Sequence, residues 1–203
     1  MEKVKNLVLY QVATDRDYKV GDILKFNKKT PNGQSNRVFN TVFTINDKRL
    51  SDEMYACAKR KFKKFKQKDD IYTIAHKLEA YDVLVKELAL EEVRKQDFAD
   101  YPSRLHCMYL SVSKDECLKN LSNMAKNIEK NGKHFQAVAV KLNGKIFKAG
   151  KVYVSREGQS YSYYKNKAKQ YWAQNNVDDS QVKEVLFEGT AEIVEVLAEI
   201  KNK

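Results

Sequence analysis

A carboxylate at the mouth of a strand is a natural place for chemistry, and Glu184 stands at one. Lys183-Glu184-Val185-Leu186-Phe187-Glu188 reads as a short apolar strand with Glu184 at its start, Gly189-Thr190 as a turn, and Ala191 to Val196 as a returning strand. Val185, Phe187, Ile193, Val194 and Val196 are the side chains that would fill a core. Two earlier strands carry polar groups of complementary kinds. Leu9-Tyr10-Gln11-Val12-Ala13-Thr14 offers a phenol and an uncharged amide that both donates and accepts hydrogen bonds. Tyr109-Leu110-Ser111-Val112-Ser113 offers an aromatic face and a hydroxyl. Each residue also has a purely structural reading: Tyr109 as a core tyrosine, Glu184 as a solvent-facing strand residue.

The elements that must position these groups can be read from periodicity. The chain has 203 residues, 42% of them apolar and 11% aromatic, which fits one globular domain and excludes disordered and fibrous classes. Asn6 to Val12 is a first strand, and Thr30-Pro31-Asn32-Gly33 marks a loop. From Ser51, an N-cap, Met54, Cys57, Ala58, Phe62 and Phe65 share one helical face; Asp69 or Asp70 caps a second helix with Ile71, Ile74, Ala75, Leu78, Tyr81, Val85 and Leu88 in its stripe. The two form a helical pair inserted over residues 47 to 100. Strand character returns at Leu105 to Val112, and Ser113 with Glu116 makes a capping box for a helix closed by Asn131-Gly132. Phe135 to Leu142, Asn143-Gly144 and Lys145 to Phe147 read as a hairpin, and Ser160 to Trp172 as a helix. The sum is an α+β fold with mostly antiparallel strands.

Lys and Arg total 38 against 27 acidic residues, a formal charge of +11 that favours anionic partners such as nucleotide phosphates or nucleic acid. The densest cationic run, Lys59 to Lys68, has a sharp reading as a phosphate-binding strip through Lys59, Arg60, Lys63, Lys64 and Lys66. Its plain reading is the solvated face of a helix anchored by Phe62 and Phe65. Cys57, Cys107 and Cys117 form no Cys-x-x-Cys pair and His76, His106 and His134 no ligand spacing, so reduced cysteines and no metal are expected. No apolar run reaches the length of a membrane span and the N-terminus lacks a signal core, so a cytoplasmic protein with no membrane partner is expected. Glycine-rich phosphate loops and Gly-x-Ser-x-Gly elbows are absent.

The order of Tyr10-Gln11-Val12-Ala13-Thr14, Lys19-Val20-Gly21-Asp22, Met108-Tyr109-Leu110-Ser111 and Glu184-Val185-Leu186 before Gly189-Thr190 resembles the ADP-ribosyltransferases. It is similar to small bacterial enzymes of the rifampin ADP-ribosyltransferase type and to an uncharacterised bacterial family sharing the segment Tyr101-Pro102-Ser103-Arg104-Leu105. The resemblance spans most of the chain outside residues 47 to 100. It implies a mostly antiparallel split sheet and NAD as substrate. Glu184 would be the catalytic carboxylate beside Tyr109, with Tyr10, Gln11 and Ser111 lining the nicotinamide pocket and Arg37 and Arg104 pairing with the pyrophosphate. Three departures stand out. Gln11 occupies the place of a usual His or Arg, Val182 replaces the Glu or Gln that marks arginine-modifying members, and residues 145 to 154 lack the acid of the rifampin-type enzymes. The resemblance leaves the acceptor open, nucleic acid among the possibilities, with an inactive member of the fold or a non-enzymatic nucleic-acid-binding domain as alternatives.

Overall fold

In chain order the protein forms β1 (Glu2–Thr14), β2 (Ile23–Phe26), α1 (Gly33–Phe39), β3 (Thr44–Ile45), β4 (Lys48–Arg49), α2 (Lys68–Asp97), β5 (Met108–Leu110), α3 (Lys114–Asn127), β6 (His134–Ala149), α4 (Tyr161–Trp172) and β7 (Glu184–Lys201). The computed structural model describes residues 1–27, 29, 31–40, 44–45, 48–49, 68–127, 134–150, 154–174 and 177–201. The main sheet runs β1-β6-β7-β2, with β5 also paired to β7 beside β2, and every pairing is antiparallel. The fold class is α+β, as the sequence indicates.

Two expected turns are strand interiors. β6 runs unbroken through Asn143-Gly144, and β7 runs unbroken through Gly189-Thr190. The two dipeptides face each other across the ladder, Asn143 opposite Thr190 and Gly144 opposite Gly189. Gly189 has φ of 148°, and a Cβ there would lie 2.4 Å from the Asn143 carbonyl oxygen; a Cβ on Gly144 would lie 2.2 Å from that of Glu188. The glycines therefore permit a close backbone approach between the two strands. β1 is irregular beside this point: Asn6 adopts φ of 58°, the ladder register shifts between Lys5 and Leu7, and the Asn6 N–H donates to Asn143 Oδ1 at 3.0 Å.

β6 and the start of β7 are buried on both faces, which explains their near-continuous apolar character, whereas β1 and β2 are exposed or half-buried at most positions. One face gathers Leu9, Val138, Val140, Leu142, Ile146, Val185, Phe187 and Ile193 into a core with Met108 and Leu110. The other sets Phe147, Ala149 and Leu186 against Ala89, Leu90 and Val93 of α2 and Tyr164, Ala168, Tyr171 and Trp172 of α4. Trp172 is fully buried, and its Nε1–H donates to the Leu90 carbonyl at 2.8 Å. Ser160 caps α4, accepting from the Tyr163 N–H, and Ser113 caps α3, accepting from the Glu116 N–H. α3 closes Cys117 and Leu121 over Phe135 and Ala137.

The C-terminal half of α2 belongs to this core, so it is not a separate appendage. The expected stripe is displaced there: Leu78, Tyr81 and Leu88 are exposed, while Lys86, Glu87, Glu91 and Arg94 are buried. Charged residues occupy the inward face because each meets a partner. Arg94 makes a two-point pair with Glu91, at 2.8 and 2.9 Å, and donates to the carbonyls of Ala99 and Tyr101. The Ser103 hydroxyl donates to Glu91 Oε2 at 2.9 Å. These bonds turn the chain after α2 and seat Tyr101 among Phe98, Phe147 and Trp172. The expected helix from Ser51 to Phe65 and the Asn131-Gly132 stop lie outside the described residues.

Candidate functional site

Curling of the sheet brings three distant segments together. Ser111, one residue beyond β5, forms a bridge with Tyr10 of β1: the Tyr10 N–H donates to the Ser111 carbonyl at 3.1 Å, and the Ser111 N–H donates to the Tyr10 carbonyl at 2.8 Å. β5 meanwhile pairs with the start of β7, Tyr109 opposite Leu186 and Leu110 opposite Val185. Tyr10, Gln11, Tyr109, Ser111 and Glu184 consequently line one cleft of ≈ 360 Å³, with Asn120, Asn123 and Met124 of α3 and Lys183 completing its wall. That volume lies near the lower end of small-molecule sites, about 300–1,000 Å³.

Glu184 is not a lone carboxylate. Its Oε1 accepts from the Tyr171 hydroxyl at 2.6 Å and from Arg104 Nη1. Arg104 itself is gripped by Glu87, Nε to Oε2 at 2.9 Å and Nη2 to Oε1 at 3.2 Å, and its Nη1 also donates to the Tyr171 oxygen at 2.9 Å. Lys86 lies 3.3 Å from Glu87. Two cations thus balance two anions behind the cleft. Only Glu184, 11% exposed at its side chain, reaches into the cleft from this group. Among the described residues its Oε2 has no hydrogen-bond partner.

The charges are held by one another. Burial works against the Arg104 cation, but Glu184 and Glu87 outweigh it and keep the guanidinium well above its usual pKa. Burial likewise opposes the Glu87 anion, yet Arg104 and then Lys86 hold that carboxyl below its usual range. Burial, followed by the Glu184 charge, pushes the Tyr171 phenol well up, and burial does the same for Tyr109. Both phenols are therefore donors at neutral pH. The Tyr109 hydroxyl spends its proton on the Arg104 carbonyl at 2.8 Å, and the guanidinium carbon lies 5.4 Å from the ring centroids of Tyr109 and Tyr171.

Gln11 lines the cleft with its Oε1 buried and without a hydrogen-bond partner among the described residues. An acceptor left so is worth about 1–3 kcal/mol of destabilisation, which a ligand donor would relieve.

The remaining expected residues are placed differently. Arg104 is 5% exposed, its guanidinium is engaged with Glu87, Glu184 and Tyr171 behind the carboxylate, and it does not line the cleft. Tyr101 to Leu105 is thus an interior anchor, further tied by Asn32, whose Nδ2 donates to the Arg104 and Cys107 carbonyls at 2.8 Å. Arg37 falls in α1, with its side chain outside the described residues, as are Lys59, Arg60, Lys63, Lys64 and Lys66. Cys107 and Cys117 are free thiols in the core. Asp17, His134 and Glu199 bring ligand atoms within 4.8 Å of one another at the surface, where His134 bonds Glu199 and Lys201 lies 3.1 Å from the same carboxylate. That geometry is an ion-pair cluster.

Sequence reasoning missed Glu87 and Tyr171, which lie 17 and 67 residues from Arg104. For Glu87 a signal existed: a carboxylate and its neighbours interrupting the inward stripe of α2. For Tyr171, placed among core aromatics, nothing in the spacing marks its hydroxyl. Sequence reasoning also missed Asn120 and Asn123, exposed residues of α3 that line the cleft.

The chain matches, over residues 9–200, the family model described as protein of unknown function (DUF2441), and it belongs to that family. A search of curated proteins finds no match. Among the described residues no helix is long and apolar enough to cross a membrane.

Proposed function

We propose that the chain is an ADP-ribosyltransferase-like protein that takes NAD into the Tyr10–Glu184 cleft and transfers ADP-ribose to an acceptor, nucleic acid being the class its charge of +11 favours. The observation that carries this reading is the convergence of Tyr10, Gln11, Tyr109, Ser111 and Glu184, from three separated strands, on one cleft. Breaking the nicotinamide glycosidic bond sends the bonding pair to the leaving ring and develops positive charge on the ribose. Glu184 Oε2 suits that charge and a ribose hydroxyl donor, so it stabilises the transition state more than the ground state. The Tyr109 ring offers a stacking face, Ser111 a hydroxyl for the ribose, and Gln11 a carboxamide for the nicotinamide amide. Lys183, Asn120 and Asn123 supply donors for the phosphates at the rim. The acceptor bonds the anomeric carbon and releases its proton. The chemistry calls for no metal.

The test is Glu184→Gln, which keeps an acceptor for Tyr171 but removes the charge. NAD consumption is expected to fall by about 100-fold or more, with the far-UV circular dichroism and cooperative melt retained. An unchanged rate, or wild-type protein that neither binds nor consumes NAD with or without nucleic-acid acceptors, removes the reading.

A second reading, binding without turnover, is favoured by the commitment of Glu184 Oε1 to two donors and by the neutral Gln11. It expects NAD to bind and remain intact. The non-enzymatic nucleic-acid alternative rests on the run 59–68, outside the described residues, and is less well supported than the cleft.

A further inference from the structure

We infer that Arg104 and Tyr171 are positioning residues that lock one oxygen of Glu184 so that the other is presented to the cleft in a single orientation; this rests on the ADP-ribosyl transfer reading for its kinetic consequence, though not for its geometry.

The hydrogen bonds all converge on one side of the carboxylate. Tyr171 donates to Oε1 at 2.6 Å, Arg104 Nη1 donates to the same atom, and Nη1 also donates to the Tyr171 oxygen at 2.9 Å, closing a three-membered ring of contacts. The ring cannot drift, because each member is fixed from behind. Glu87 holds Arg104 at two points, at 2.9 and 3.2 Å, and its side chain is wholly buried. Tyr171 lies edge-on to Trp172, with centroids 4.7 Å apart, and against Phe147 at 5.5 Å. A planar guanidinium gripped by one carboxylate dictates where a second can sit, which a flexible ammonium would not do. A freely rotating glutamate spreads over several rotamers. This one meets two donors that reward one arrangement, and displacements of about 1 Å at a reacting group lower rates by as much as 100-fold.

An ordinary core aromatic at position 171 would suffice for packing, yet the Tyr171 hydroxyl is fully used. Its effect on Glu184 can therefore be separated from its packing. Tyr171→Phe removes the hydroxyl and keeps the ring. Tyr164→Phe is the control: it makes the same chemical change in the same helix and core, removing a hydroxyl that donates to Asp82 and accepts from the Glu157 N–H, but Tyr164 makes no bond to Glu184, Arg104 or Tyr171. With NAD as the probe, Tyr171→Phe is expected to lower kcat about tenfold or more with KM little changed, whereas Tyr164→Phe leaves kcat near wild type at temperatures where both remain folded. Equal losses of kcat in the two variants, or a rise in KM alone in Tyr171→Phe, overturn the inference.

A crystal structure of ligand-free Tyr171→Phe supplies a measurement independent of NAD. It is expected to show the Glu184 carboxylate in more than one orientation, and a single unaltered orientation overturns the inference. Wild-type protein inert toward NAD would remove the proposed activity, and the positioning claim would then stand or fall on that crystal structure.

Discussion

Arg104 and Glu87 sit deep enough that neither tolerates the loss of the other. A buried pair contributes little net stability compared with an apolar replacement, but breaking it strands a charge, at about 3–5 kcal/mol. Glu87→Gln is therefore expected to lower the unfolding free energy by roughly that amount, read from the midpoint of a urea titration at constant m. The same residue sets an acid response. Its folded pKa is depressed, so the stability it brings is present above its unfolded value, near the ordinary 4.5, and is lost as pH falls through the folded pKa. Wild-type stability should decline on acidification below about pH 4.5, and Glu87→Gln should flatten that part of the curve. Glu184, one bond removed from this pair, inherits its rigidity. A catalytic test at that position is thus also a test of the network behind it, which is why the melt of Glu184→Gln must accompany its kinetics.

At the scale of elements, the facing glycines set how closely β6 and β7 approach. Gly189→Ala meets both an unfavourable φ of 148° and a contact of 2.4 Å with backbone, so it is expected to cost about 2–4 kcal/mol and to lower the melting temperature sharply. Gly21 has positive φ, but a Cβ added to it would meet nothing within 4 Å, so Gly21→Ala should be much milder; similar losses at the two sites would show that conformation, not the close approach, dominates. These glycines also show how far the sequence was legible. Asn-Gly and Gly-Thr are genuine turn signals, and a local reading cannot distinguish a turn from two glycines facing each other across a ladder, because Gly144 and Gly189 are distant in the chain. The helix α3 was legible because Ser113 acts on a neighbour three residues away, and α4 because its aromatic and apolar residues recur at helical spacing. The inward charges of α2 were not, because pattern reading assigns charge to solvent and only partners beyond the helix, Arg104, Ser103 and the carbonyls of Ala99 and Tyr101, reverse that. For the site, the three cleft-lining strands could be named from sequence, but the fastening of Glu184 by Arg104 and Tyr171 is wholly long-range.

For the whole molecule, the two main cores lie on opposite faces of the same strands, β6 and β7, so neither can be lost alone. Trp172, the only tryptophan, is buried in the helical layer. Urea transitions followed by Trp172 fluorescence, which reports that layer, and by far-UV circular dichroism are expected to coincide. A fluorescence transition well ahead of the other would instead make the helices a separable unit. The contact between Tyr10 and Ser111 bears on the history such a molecule can have. The seam there is made of peptide groups alone, so it asks only that neither residue be proline. The side chain at position 111 is therefore an interchangeable part: a lineage, or a designer, can replace it while the seam stays joined, whereas Tyr10 also packs against the core of Cys117, Leu121 and Phe135 and is less free to vary.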